Sequence, residues 1–323
     1  MSDVAIGVDV GGTKALALIM TRDGRVLGEV QAKTPHEAGQ QAGEATAAVL
    51  TEQILQLVSM HALSASEVPV GIGLPGLMRR DGHLAFAPNL QTANGSDLGS
   101  LLGISLASSK VFCENDANCA ALAEHEWGAG RGIENFVMVT LGTGIGGGVI
   151  ADGQLVRGRS GFAGEPGHMV VQAHGVPCLC GGHGCWERYA SGSGLGRMTL
   201  EAARSGRLPT LVEKLGGAEA VRAEDVTSAA AEGLDEALVL MKEVGWWLAL
   251  GLSNLVAILD CGHFVIGGGL SSASDLVLPY AREYLADLVM GYDVRPTITV
   301  TTSMFGTRSG AMGAALVAFE RNS

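Results

Sequence analysis

Charge is scarce in this chain of 323 residues: charged side chains make up 17% of it against 47% hydrophobic ones. A chain so rich in apolar side chains can fill a sizeable core, which excludes intrinsic disorder, and its length points to two lobes. Cationic residues are the scarcest, 21 Lys and Arg against 33 Asp and Glu, for a formal charge of −12. That balance excludes nucleic acid as the main partner, since polyanions need dense Lys and Arg. A nucleotide is not excluded, because backbone N–H groups and a metal ion neutralise phosphates locally. Long apolar runs are missing too. An uncharged, largely apolar stretch, residues 244–259, is interrupted by Gly251, Ser253 and Asn254. It falls short of the roughly 20 residues a bilayer demands and reads as a buried helix. Residues 1–3 carry no basic n-region or cleavage site, so no targeting segment and a cytoplasmic location are expected. Cysteines number six, but three crowd into Cys178-Leu-Cys180-x4-Cys185. In a cytosolic chain that suggests metal before disulfide.

Strands and turns fill the first 35 residues: apolar runs at 4–10, 15–20 and 26–30, broken by Gly11-Gly12-Thr13 and by the hairpin turn Asp23-Gly24. Helical spacing follows over 38–60, then a short strand over 68–73, a strand ending before Cys113 and helix composition over 116–127. The opening pattern then recurs, with strands at 136–141 and 147–151 around Gly142-Thr143-Gly144 and a second Asp-Gly turn at Asp152-Gly153. This repetition predicts an internal duplication. Residues 190–259 read as mostly helical, followed by a strand into Gly267-Gly268-Gly269, a helix over 275–287, a strand over 297–301 and a closing helix over 309–320. Strands mixed with helices throughout give an α/β class.

Three glycine turns are candidate phosphate or nucleotide contacts. In Asp9-Val10-Gly11-Gly12-Thr13-Lys14, glycines allow close backbone approach, so N–H groups and the Thr13 hydroxyl could meet phosphate oxygens, with Asp9 facing Mg²⁺ through water. The order Thr13-Lys14 and the strand that follows exclude a Walker P-loop; an ordinary Gly-Gly hairpin is the alternative. Glycines 142, 144 and 147 satisfy G-x-G-x-x-G, and Glu165 stands near the spacing of a ribose-binding acid. Yet a strand follows where a dinucleotide fingerprint requires a helix N-terminus. Gly267-Gly268-Gly269 could let an adenine or ribose lie against the backbone.

Phosphoryl transfer to a hydroxyl needs a carboxylate to orient that hydroxyl and take its proton. Asp116 in Glu114-Asn115-Asp116-Ala117-Asn118 could serve, although an Asp before a helix also reads as an N-cap. Glu165-Pro166-Gly167-His168 and the three clustered cysteines give the Cys₃His set of a closed structural Zn²⁺ site, leaving no open position for catalysis. A cluster of reduced thiols is the alternative, with His174 or His183 as competing ligands.

Taken together these motifs resemble the ROK family of sugar kinases and repressors, within the actin-like ATPase superfamily. The resemblance also draws on Gly73-Leu-Pro-Gly76, Pro88-Asn89, Ile266-Gly-Gly-Gly269 and the run through Gly184-Cys-Trp-Glu187, and it covers nearly the whole chain. It implies a two-lobed, duplicated ribonuclease H-like fold with an interdomain cleft. One lobe is expected from 1–118 plus 310–323, the other from 119–309. Nucleotide falls to Asp9, Gly11, Gly12, Thr13, Lys14, Gly142, Thr143, Gly144 and the loop Gly267, Gly268, Gly269. Asp116 becomes the general base for the 6-hydroxyl of a hexose. Sugar hydroxyls fall to Asn89, Asn115, Glu165, His168 and Glu187, and zinc to His168, Cys178, Cys180 and Cys185. ATP with Mg²⁺ and a structural Zn²⁺ are the implied cofactors, and a homodimer or homotetramer the expected assembly. Repressors of the family carry an N-terminal helix-turn-helix, for which no room stands ahead of Val4, so an enzyme is expected. Residues 184–192 and Phe86-Ala-Pro-Asn-Leu90 look most like bacterial glucokinases, with an N-acetylmannosamine or N-acetylglucosamine kinase as the alternative and polyphosphate as a possible second donor. A sugar-binding protein without turnover would need neither Asp116 nor three phosphate loops.

Overall fold

The computed structural model describes residues 3–35, 42–88, 90, 95–108, 110–269 and 273–322. In chain order it runs through β1 (Val4–Val10), β2 (Lys14–Thr21), β3 (Val26–Lys33), α1 (Ala42–Met60), β4 (Val70–Leu74), β5 (Leu77–Met78), β6 (Leu84–Phe86) and α2 (Leu98–Ser105). Next come β7 (Val111–Asn115), α3 (Asp116–Glu126), β8 (Phe136–Leu141), β9 (Ile145–Ala151), β10 (Gln154–Leu155), α4 (Glu187–Ala190), α5 (Gly192–Arg204), α6 (Pro209–Leu215) and α7 (Ala223–Ala231). The chain closes with α8 (Asp235–Leu259), β11 (His263–Gly267), α9 (Ser274–Leu288), β12 (Thr299–Thr302) and α10 (Ser309–Arg321). The expected α/β class and most element positions hold. The small β5–β6 hairpin has too little apolar alternation to be read from sequence.

Two five-stranded sheets carry the fold, ordered β3-β2-β1-β4-β7 and β10-β9-β8-β11-β12. Numbered within its own sheet, each runs third, second, first, fourth, fifth. That is the duplication expected from the sequence, and it makes this a two-domain fold of the actin-like kind. In the first sheet β1 pairs antiparallel with β2 and parallel with β4, and β4 parallel with β7. Both C-terminal strand ends that carry acids, Asp9 of β1 and Glu114-Asn115 of β7, therefore point the same way.

By packing, the chain divides into Met1–Met138 with Gly147–Gly164 and Ser303–Ser323, and Val139–Gly146 with Glu165–Thr302. The boundary expected between 118 and 119 falls inside α3. In the first unit the period-two alternation of the strands sends Ile6, Val8, Val10, Ala17 and Ile19 to one face, packed with Leu50, Ile54 and Leu57 of α1. Ala5, Leu18 and Met20 face the other way, onto Ala311, Met312, Ala315 and Phe319 of α10. α10 lies almost directly on the sheet. A Cβ at Gly7 would come within 1.9 Å of the Ala311 carbonyl and one at Gly71 within 1.8 Å of that of Ala314. Glycine is required there by the approach of backbone to backbone.

In the second unit α8 is the central helix, burying Leu240, Met241, Val244, Leu248, Leu252 and Val256. It contains the uncharged stretch 244–259. Among the described residues no helix is long and apolar enough to cross a membrane.

Candidate active site and metal centre

In the first unit, the turn between β1 and β2 is closed by the Gly11 N–H donating to the Lys14 carbonyl at 3.0 Å. Buried Thr34 staples it from behind: its hydroxyl donates to the Gly11 carbonyl at 2.7 Å and its N–H to the Thr13 carbonyl at 3.1 Å. Thr13 and Lys14 are left exposed. Thr34 lies 23 residues from Gly11 and has no motif around it, so sequence reasoning missed it. Asp9 sits at the end of β1 with its carboxylate against the first turn of α10; a Cβ at Gly310 would be 2.6 Å from Asp9 Cγ. Burial, and then the neighbouring Asp116, push Asp9 up to about 8 against the opposing pull of Lys14.

β7 delivers the chain into α3 through Asn115, which holds the N-cap: its Oδ1 accepts the Asn118 N–H at 2.9 Å. The cap reading of Asp116 is thereby answered, because its neighbour does that work. Asp116 occupies the first helical position and accepts the Ala117 N–H at 2.8 Å. Burial pushes it up to about 6 in spite of that bond. A carboxyl poised there is a competent base near neutral pH. The other end of the Asn115 amide donates to the Gly76 carbonyl at 3.1 Å.

Glu114 holds the turn together. Its Oε1 accepts the Asn115 N–H at 3.1 Å and Asn118 Nδ2 at 3.3 Å. Its Oε2 faces two arginines, Arg157 at 2.7 Å and Arg321 at 3.3 Å. Neither arginine stands in a motif, and only the fold brings positions 114, 157 and 321 together. The far end of α3 is anchored by a second buried acid. Glu124 accepts from the Ser303 and Ser309 hydroxyls and from the N–H groups of Ala129, Met304 and Phe305. Asn89 lies outside the described residues.

In the second unit, the Gly142 N–H donates to the Gly144 carbonyl at 3.0 Å across the turn between β8 and β9. The third glycine loop lies beside it: Gly268, at φ +87°, approaches so closely that a Cβ would be 2.6 Å from the Leu141 carbonyl. The fold thus brings 142–144 and 267–269 together. The short turn Pro166–His168 rests on β9, where a Cβ at Gly167 would be 2.1 Å from the Ile145 carbonyl. His168 Nδ1 is 3.9 Å from both Cys178 Sγ and Glu187 Oε1, while Nε2 points to Glu165 Oε2 at 4.0 Å. The Cys178 thiol donates to Glu187 Oε1 at 3.0 Å.

One ligand atom each from His168, Cys178, Cys180 and Cys185 lies within 4.8 Å of the others. Cys180 and Cys185 sulfurs are 3.7 Å apart. The edge between two sulfurs around a tetrahedral zinc is about 3.8 Å, so the donor set fits that ion in kind and in size. The competing His174 and His183 are exposed and outside the cluster. The loop is also braced without metal. Single bridges pair Val170 with Cys185 and Pro177 with His183, and Tyr189 Oη accepts the Val176 N–H at 2.9 Å. Trp186 is fully buried, its indole donating to the Trp247 carbonyl at 2.7 Å.

The sequence matches the model of the ROK family over residues 5–321. A glucokinase from Streptomyces coelicolor is 34% identical over 326 residues, covering 98% of both chains. One from Thermotoga maritima is 35% identical over 321 residues, covering 98% of this chain and 97% of that one. Among solved structures, a ROK family glucokinase from Streptomyces griseus in complex with glucose and AMPPNP superposes with a TM-score of 0.87 at 33% identity, covering 98% of this chain and 99% of that one.

Proposed function

The chain belongs to the ROK family, and on that premise we propose that it transfers the terminal phosphoryl group of ATP to the 6-hydroxyl of glucose. The observation that carries this reading is Asp116, a desolvated carboxyl with its capping duty taken by Asn115, in a chain similar over its whole length to glucokinases. Ionised Asp116 accepts the proton of the attacking hydroxyl and orients its oxygen for in-line attack.

Glu165, His168 and Glu187 bind the remaining hydroxyls, joined by Asn89 and by Asn115, whose amide retains one N–H and one lone pair beyond its two internal bonds. Gly11, Gly12, Thr13 and Lys14 offer donors to phosphate oxygens, as do Gly142, Thr143 and Gly144, and Gly267, Gly268 and Gly269 offer a flat surface to adenosine. Asp9 meets Mg²⁺ through water. His168, Cys178, Cys180 and Cys185 hold a structural Zn²⁺. That ion supplies no reactive position; it fixes a loop that must present His168 and Glu187 together. With Nδ1 toward the cysteines, His168 offers Nε2 on the side of Glu165.

The test is a coupled assay of purified protein over glucose, mannose, N-acetylmannosamine and N-acetylglucosamine, with ATP and polyphosphate as donors. The expected result is the highest kcat/KM for glucose with ATP. A higher kcat/KM for either 2-acetamido sugar overturns the glucose assignment.

A further inference from the structure

Ser191 stands in no assigned role, yet it touches both halves of the chemistry in its unit. It is completely buried and is the N-cap of α5, accepting the Gly194 N–H at 3.1 Å. Its hydroxyl lies 2.5 Å from the Glu187 carbonyl and 3.0 Å from the Thr143 carbonyl. A serine hydroxyl has one proton, so two carbonyls from different parts of the chain compete for a single donor. Two backbone bonds extend the strap, from the Gly192 N–H to the Gly142 carbonyl at 2.8 Å and from the Ser193 N–H to the Thr143 carbonyl at 3.3 Å. Only three residues therefore separate Glu187, assigned to the sugar, from a set of bonds that grips the turn assigned to phosphate.

We propose that Ser191 is a positioning residue that couples the two substrates: sugar bound at Glu187 orders the 142–144 turn through the Ser191 strap before nucleotide arrives. The proposal rests on Glu187 as a sugar contact and on 142–144 as a phosphate turn. Its physical basis is entropic. A ligand that immobilises Glu187 restricts the hydroxyl it shares with Thr143, so the second ligand finds a turn already ordered and loses less conformational freedom on binding. Reciprocity follows from linkage: nucleotide must tighten sugar by the same factor.

The experiment measures the AMPPNP Kd by calorimetry with and without saturating glucose, in wild type, Ser191→Ala and Ser253→Ala. Ser253 is the matched control, a buried serine of α8 whose hydroxyl donates to the Leu250 carbonyl. Wild type and Ser253→Ala are expected to bind AMPPNP at least ~5-fold tighter with glucose present, and Ser191→Ala to lose most of that factor while its Kd without glucose stays within about twofold. A second measurement needs no variant and stands if Ser191→Ala fails to fold. Glucose alone should slow hydrogen exchange in the 141–147 peptide of wild-type protein. Wild type that binds glucose and AMPPNP independently, full coupling in folded Ser191→Ala, or unchanged exchange at 141–147 on glucose binding overturns the coupling and leaves the kinase reading intact. Wild type that binds no glucose overturns both.

Discussion

The acid turn at 114–118 and the loop at 165–187 solve one problem, holding polar side chains in fixed places, by opposite means. In the first, regular structure does the work: β7 stops, Asn115 caps α3, and Glu114 gathers the capping amides from below. Asp116 is placed there by backbone that would exist without it, so it can be desolvated and its pKa raised. In the second, the backbone is irregular between 165 and 187 apart from the short turn Pro166–His168, and position comes from cross-links: two single bridges, the Tyr189 phenol and the Cys₃His cluster. Reactivity is thus assigned to the part that is rigid by secondary structure, and recognition to the part that is tied by side chains. Damage to the first should appear in turnover, and damage to the second in sugar affinity.

The largest effect is expected at Asp116. Asp116→Asn keeps the shape and removes the base, so kcat should fall at least ~10²-fold with glucose affinity little changed. With Asp116 at about 6 and the ionised form active, kcat/KM should decline as pH drops through that value, and the variant's residual activity should lack this limb. Asp9 carries a separate signature. Lying at about 8, it is protonated at pH 7 in the ligand-free chain, and binding of Mg²⁺·ATP should expel that proton. Calorimetry in buffers of different ionisation enthalpy measures the release, and Asp9→Asn should abolish it. The sign for stability follows from the same shift. A carboxyl whose folded value exceeds its unfolded 3.8 contributes stability that is complete below about 4 and lost as pH rises through about 8. Ligand-free Asp9→Asn should therefore gain in Tm over wild type as pH increases across that window, while losing activity.

A smaller and different loss is expected in the second region. Cys180→Ser should lower bound zinc from about one per chain and raise the glucose KM by ~10-fold, the scale on which loss of metal-site support acts, with kcat less affected. Trp186 and Tyr189 brace the loop's C-terminal end independently, so the protein should remain folded. ATP affinity measured without sugar should not change. Active wild-type protein without zinc would leave the cysteines as a reduced thiol cluster and the comparison without its second term.

Much of this was legible in the sequence, for reasons that also explain what was not. The glycine turns, the Asp116 motif and the Cys₃His set are local, each a short run whose residue types state their chemistry. The repeated strand-turn-strand pattern predicted the duplicated sheets because hydrophobic period and turn residues are local as well. The roles of Thr34, Arg157, Ser191 and Arg321 were invisible, since each acts through bonds to residues far along the chain. Asn115 was read only as a sugar ligand. Its capping role depends on where β7 stops, which apolar period fixes only to within a residue or two.

The finest comparison lies within the acid turn, between the two arginines on Glu114. Glu114 is almost fully buried, and both guanidinium groups meet the same oxygen, Arg157 at 2.7 Å and Arg321 at 3.3 Å. Arg157 makes the shorter contact, so Arg157→Gln should cost about 1.5–3 kcal/mol, the range for a hydrogen bond to a charged group. Arg321→Gln, losing the longer contact from a residue one-third exposed, should cost less than about 1 kcal/mol. Activity should fall only a few-fold in either, because Asn115 still caps α3 and Asp116 keeps its backbone bond. The informative protein is the double variant. Either arginine alone can neutralise Glu114, but removing both strands a buried carboxylate, so the combined loss of stability should exceed the sum of the two. Adding Glu114→Gln to the double variant removes the stranded charge and should recover part of that excess in Tm. Strict additivity, with no recovery from Glu114→Gln, would mean that the arginines support the turn separately through packing and not by sharing Glu114.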